Sequence, residues 1–241
     1  MSGPAVLVTR AQPGADETAH SLRELGYVAV VSPAIELLSC PDTPLPEPGG
    51  FAGLVFTSAN GVRFLAERSP FRAITAWCVG PATAKAAMAA GFRDVRNAMG
   101  DAERLAACIA ADAAPDDGPL LHVANSAAAG DLAGALRAAG FDVKFAALYR
   151  SAPATAFTPE ALKALTSGDL DAVLFHSAKG AEAFSRLAVR AGIPLDKVEA
   201  VGVSQKALTP VAGLGWAGMT AADAPNETEL LAALQRVLTP A

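Results

Sequence analysis

Short apolar runs recur along this chain, and the segments between them carry the spacing of amphipathic helices. The runs predict strands at 5–9, 28–31, 53–57, 76–79, 93–95, 119–123, 141–149, 171–175, 198–201 and 217–220. The periodic segments predict helices over 14–25, 59–68, 81–90, 101–111, 126–139, 158–167, 178–190, 203–213 and 226–238. Continuous apolar strands separated by helices imply parallel sheets covered on both faces. Several helix starts are marked: Pro81 follows Gly80, Thr158 precedes Pro159, and Asn226 has Glu229 three residues on. The Pro-rich stretch 41–50 fits neither a helix nor a central strand and reads as the exit of a linker.

The pattern repeats within the chain in permuted order. Leu54-Val55-Phe56-Thr57-Ser58-Ala59-Asn60-Gly61 returns as Val173-Leu174-Phe175-His176-Ser177-Ala178-Lys179-Gly180. Val6-Leu7-Val8 with Leu22 to Tyr27 returns as Leu120-Leu121-His122 with Leu136 to Phe141. The two kinds of block alternate, so the middle pair can form one domain while the first and last, distant in sequence, form another. The expected fold class is α/β, with two similar doubly wound parallel-sheet domains, the middle one inserted in the other. Residues 1–35 with 168–241 form the discontinuous domain and 40–150 the inserted one, with linkers at 36–40 and 147–157. Two domains joined by two crossovers leave a cleft.

Composition narrows the function. A chain of 241 residues suits two domains of about 100 to 130 residues, each able to bury a core. Its 52% hydrophobic content is dispersed, with no run near the roughly 20 residues of a membrane span. The first residues lead directly into a strand without the pattern of a signal peptide, so a cytoplasmic protein is expected. A net charge of −5 argues against nucleic acid or an anionic membrane as partner. Cys40, Cys78 and Cys108 form no CxxC and have no histidine at ligand spacing, so they read as reduced thiols, Cys78 in the core, and no metal site is expected. Gly213 to Gly218 matches GxGxxG, but it follows a helix and precedes a strand, the reverse of a dinucleotide fingerprint. No cofactor is expected.

Ligands of open α/β sheets bind beyond the carboxyl ends of the strands. Here those loops are Thr9-Arg10, Thr57-Ser58-Ala59-Asn60-Gly61, Gly80-Pro81-Ala82-Thr83, Ala124-Asn125-Ser126, His176-Ser177 and Gly202-Val203-Ser204-Gln205. Hydroxyl, amide and glycine residues directly before helices suit anions, because free N–H groups and the positive dipole end point outward there. Capping alone also explains those residue types, but the pattern recurs at equivalent places in both halves. His176 beside Ser177 has no evident oriented acid, and neighbours on a strand face opposite ways. His20 reads as a surface residue and His122 as a structural histidine in a central strand. Glu103, Glu182 and Glu229 lie on helices, as solvated faces or caps.

Taken together, Val6-Leu7-Val8-Thr9-Arg10, Phe56-Thr57-Ser58-x-Asn60-Gly61-Val62, Val79-Gly80-x-x-Thr83-Ala84, Gly100-Asp101-Ala102-Glu103-Arg104-Leu105, Leu148-Tyr149-Arg150 and Phe175-x-Ser177 stand in one order over nearly the whole chain. In this the chain resembles the uroporphyrinogen-III synthase family. The resemblance implies two α/β domains joined by a two-stranded linker. It also implies a lyase that cyclises hydroxymethylbilane, which bears eight carboxylates, to uroporphyrinogen III with inversion of the last ring and loss of water; a monomer is expected. It assigns Tyr149 to departure of the hydroxyl group and Thr57, Ser58, Thr83 and Ser177 to carboxylate binding or positioning; Arg10, Asn60 and Ser204, in the same strand-end loops, are candidate substrate-binding residues beside them. Catalysis would come chiefly from orientation. Two features depart from the family pattern: Gln205 follows Ser204 where a second hydroxyl is common, and the loop from Asn125 to Gly130 lacks arginine. The alternative is a two-lobed α/β protein that binds a small anion without chemistry.

Overall fold

The computed structural model describes residues 3–128 and 131–240. In chain order its elements are β1 (Ala5–Val8), α1 (Gly14–Glu24), β2 (Val28–Val31), β3 (Ile35–Ser39), β4 (Gly53–Phe56), α2 (Ala59–Arg68), β5 (Thr75–Cys78), α3 (Pro81–Ala89), β6 (Val95–Asn97), α4 (Ala102–Asp112), β7 (Leu120–Asn125), α5 (Leu132–Ala138), β8 (Val143–Pro153), α6 (Pro159–Ser167), β9 (Ala172–Phe175), α7 (Ala178–Ala191), β10 (Glu199–Gly202), α8 (Gln205–Leu208), β11 (Gly218–Ala221) and α9 (Glu227–Val237). The chain divides into two compact units, one comprising Met1–Leu37 with Ala152–Ala241 and the other Leu38–Ser151.

Each unit is built on one sheet. The discontinuous unit has the order β11-β10-β9-β1-β2, and the continuous one carries β8-β7-β4-β5-β6, with β3 added beside β8. Read from opposite ends, β2-β1-β9-β10-β11 and β8-β7-β4-β5-β6 are the same arrangement. The permuted sequence repeat is therefore a repeat of topology. Register shows it too: Leu7 lies beside Val173 and Leu54 beside Leu121, all in parallel pairs.

Alternation along the strands builds a core on each side of each sheet. Leu7, Val173 and Phe175 pack with Phe157, Phe184 and Leu187 on one face, while Val6, Val8 and Leu174 meet Leu22, Leu230 and Leu234 on the other. In the continuous unit Leu54 and Phe56 face Val62, Leu65 and Ala87, and Val55 faces Leu105, Ile109 and Leu136. Burial on both faces explains why these strands read as unbroken apolar runs.

Several boundaries differ from expectation. The helix expected over 126–139 begins at Leu132, because Asn125 Oδ1 accepts the Ala127 N–H in a turn and Asp131 is the residue that caps α5. The last two residues of the departing loop, Ala129 and Gly130, lie outside the described residues. The helix expected over 203–213 stops at Leu208 and continues as a 3-10 turn over Thr209–Val211, where Pro210 supplies no N–H. The strand expected at 93–95 lies at Val95–Asn97, after the left-handed Gly91 ends α3 and Phe92 turns into the core. The expected linker at 36–40 is largely strand, β3 covering Ile35–Ser39, and β8 runs on to Pro153. The two crossovers are thus neighbouring strands. Residues 152–167, partly left to a linker, group with the discontinuous unit, since Thr158 donates its N–H to Ser32 Oγ and its hydroxyl to the Val31 carbonyl. Among the described residues no helix is long and apolar enough to cross a membrane.

Candidate functional site

In the continuous unit the chemistry gathers where β7, β4 and β8 end. The strand order makes β7 and β4 the point at which the connections diverge, and ligands of such sheets bind outside that point. Ser58 leaves β4 with extended backbone and caps α2, its Oγ accepting the Asn60 N–H at 3.1 Å. Gly61 lets the helix sit this close: a Cβ there would stand 2.6 Å from the Val123 carbonyl oxygen on β7. Asn60 Oδ1 accepts from Arg63 Nη1 at 2.9 Å.

Tyr149 lies on β8 at the register of Asn125. Its ring stacks on Phe64 of α2, with centroids 4.8 Å apart, and only 4% of the residue is exposed. Burial raises the phenol above its ordinary pKa, and a hydrogen bond with Ser58 works in the opposite direction. The phenol is therefore neutral near pH 7 and able to donate. Asn125 Nδ2 donates to Ser151 Oγ at 2.8 Å on the same strand pair.

His122 stands beneath this group. Its Nε2 is 3.4 Å from Thr57 Oγ1, and its ring meets Phe145 edge-on at 5.4 Å. Burial lowers it to about 4, so it is neutral at physiological pH. Thr83, at the third position of α3, is buried.

The discontinuous unit repeats these helix starts. Ser177 caps α7 by accepting the Gly180 N–H at 3.1 Å, and Ser204 caps α8 by accepting the Ala207 N–H at 3.3 Å. The cap residues Ser58, Gly80, Ser177 and Ser204 have φ of −160°, −162°, −163° and −164°. Ser177 and Ser204 cap through a lone pair and keep an O–H to donate to an anion, whereas the Ser58 hydroxyl is shared with Tyr149.

Arg10 is engaged. Its Nη1 lies 3.3 Å from Glu227 Oε2, which also lies 3.1 Å from His176 Nε2. Thr18 Oγ1 donates to Glu227 Oε1 at 2.6 Å. His176 thus has an oriented acid after all, contrary to the sequence reading. No local pattern signals it, because the partner lies 51 residues on and at the start of another helix.

Of the residues singled out from sequence, the fold brings Ser58 to Tyr149 and Asn60 to the same helix start, with Thr57 on His122. Thr83 stands at a separate helix of that unit, and Arg10, Ser177 and Ser204 belong to the other. Sequence reasoning missed Glu227, Thr18 and Phe64. Among the described residues no cluster of His, Cys, Asp or Glu could hold a metal ion.

A family model described as uroporphyrinogen-III synthase HemD matches residues 16–232. The uroporphyrinogen-III synthetase of Helicobacter pylori is similar in structure, with a TM-score of 0.61 at 19% identity over 95% of this chain and 97% of that one. A mutant uroporphyrinogen III synthase of Thermus thermophilus gives 0.49 at 18% identity over 97% and 98%. At 19% identity the likeness to the Helicobacter pylori protein concerns the fold. No curated protein sequence matches the chain significantly.

Proposed function

The chain belongs to the uroporphyrinogen-III synthase family, and from that premise we propose how its residues carry the family's reaction. The activity is that of a cyclising lyase of tetrapyrrole biosynthesis: hydroxymethylbilane closes to uroporphyrinogen III with inversion of the last ring and loss of water. Tyr149 gives its phenolic proton to the departing hydroxyl, forming water, and regains one when ring closure releases a proton. The observation that carries this role is the neutral, buried phenol hydrogen-bonded to Ser58 at the start of α2. There the phenolate is transiently stabilised by the helix N-terminus and the serine.

The substrate's carboxylates are taken by helix starts. Thr57, Ser58, Asn60 and Thr83 serve in the continuous unit, and Arg10, Ser177 and Ser204 in the other. Hydroxyls that already cap their helices supply O–H donors beside free backbone N–H groups, an arrangement that holds anions without lysine. Orientation of a flexible chain is then the main source of selectivity for the inverted isomer. The setting we propose is a cytoplasmic monomer. The three free cysteines agree with a reducing compartment.

Incubation with enzymatically generated hydroxymethylbilane and separation of the product isomers tests the reading. Isomer III in excess of the spontaneous, uninverted isomer is expected. Uninverted product alone would overturn it in favour of anion binding without chemistry.

A further inference from the structure

The discontinuous unit has its own point of diverging connections between β1 and β9, and there four polar side chains converge that Tyr149 and the capping hydroxyls leave unused. Glu227, the first residue of α9, accepts from Thr18 Oγ1 at 2.6 Å and lies 3.1 Å from His176 Nε2 and 3.3 Å from Arg10 Nη1. It also sits at the positive end of its helix. The arginine lies flat on the start of α1: a Cβ on Gly14 would come within 2.4 Å of its Nε. Guanidinium, hydroxyl, imidazole and dipole all point at one carboxylate, and that carboxylate is the chain's own.

The arrangement is open to solvent. A cavity of about 440 Å³ is lined by Arg10, Thr18, His176 and Glu227, and 37% of the Arg10 and 34% of the Glu227 side chain is exposed. Its volume is in the ordinary range for small-ligand sites and suits one substituted ring. His176 Nδ1 is buried without a partner, so the imidazole's hydrogen bonding is directed wholly at Thr18 and Glu227.

We propose that this is a carboxylate subsite kept filled by Glu227, which swings out and yields its donors to a carboxylate side chain of the substrate. The ligand class rests on the family reading above. Exchange of one carboxylate for another leaves Arg10, His176 and Thr18 partnered at both ends of the process, whereas an empty site would strand them. Glu17 also lines the cavity. Displacing Glu227 costs its own contacts, which disfavours a free small anion and selects a polycarboxylate anchored at other points as well.

The test is titration of wild type and Glu227→Gln with uroporphyrin III, an octacarboxylate, at fixed ionic strength. Glutamine keeps the shape and can still accept from Thr18, but removes the charge that holds Arg10. About tenfold tighter binding is expected, with a parallel fall in KM for hydroxymethylbilane. Unchanged or weaker binding by a folded Glu227→Gln protein overturns the proposal. Should that variant fail to fold, Glu227→Ala vacates the subsite while leaving Arg10, His176 and Thr18 to the ligand; about tenfold tighter binding is again expected, and the absence of tightening overturns the proposal. Isomer III formation by wild type separates the two ideas: activity with no tightening in the variants sinks the subsite alone, and no activity sinks the reading beneath it.

Discussion

Tyr149 and His122 stand on neighbouring strands of one sheet, and burial keeps both uncharged by moving them in opposite directions. The phenol goes up and the imidazole down, to about 4. For Tyr149 the expected consequence is catalytic: Tyr149→Phe keeps the stack on Phe64 and should lower kcat by about 10² to 10⁴ with little change in stability. Near wild-type formation of isomer III by that variant would remove the hydroxyl from the mechanism. For His122 the consequence is thermodynamic. Its folded pKa lies below the unfolded value of about 6.5, so between those values the unfolded state binds more protons and stability falls with falling pH. From pH 7 to pH 5 the loss should be on the order of 2 kcal/mol. Urea denaturation of wild type and His122→Phe at both pH values checks it, the variant showing a shallower slope. At this scale the sequence was legible where a side chain acts on its own helix. Ser58 and Ser177 cap the helices their positions announced, while Ser204, expected inside a helix from 203, caps one that starts at Gln205. Glu227 was not legible, since nothing local distinguishes it from Glu229, whose N–H merely completes the Asn226 cap; only the third dimension brings it to Arg10 and His176.

A parallel strand, one extended serine and a tight helix make up the element that this chain uses twice, as β4-Ser58-α2 and β9-Ser177-α7. Both copies were visible in the sequence because strand period, cap and helix are all local signals. The copies differ in how closely the helix approaches the sheet. Added to Gly61, a Cβ would stand 2.6 Å from backbone oxygen on β7, whereas at Gly180 the nearest atom is the Ser177 Oγ at 3.2 Å. Gly61→Ala should therefore push α2 outward, costing about 1 to 3 kcal/mol and displacing Ser58 from Tyr149. Gly180→Ala should be close to neutral, because alanine's higher helix propensity of about 0.5 to 1 kcal/mol offsets the crowding. Thermal unfolding of both variants decides it, and equal losses would show that the two copies are packed alike. Element ends were less legible than element existence. Asn125 and Pro210 each end a regular stretch by local hydrogen bonding or its lack, and β3 became a strand only because β8 lies beside it.

At the scale of the whole molecule, the permuted repeat made the wiring readable from sequence, since β1 could find the equivalent of β7's neighbour β4 only near the other end of the chain. It lies between β2 and β9. Boundaries inside the crossovers were not readable, because the residues that decide them, Thr158 on Ser32 and Val31, act across more than a hundred positions. The wiring also makes the two units unequal in their dependence on chain continuity. Leu38–Ser151 is continuous and owns both of its cores, so it should fold alone with one cooperative thermal transition. Ala152–Ala241 lacks β1 and β2, which would leave β9 as an unpaired edge and strip Leu7, Val30 and Leu22 from the cores on either side. Expressed alone it should lack a cooperative transition, and covalent restoration of residues 1–37 through a short linker should return one. Calorimetry on the three fragments measures this. A cooperative melt for 152–241 by itself, or none for 38–151, would show that the two halves of the repeat are not independent folding units.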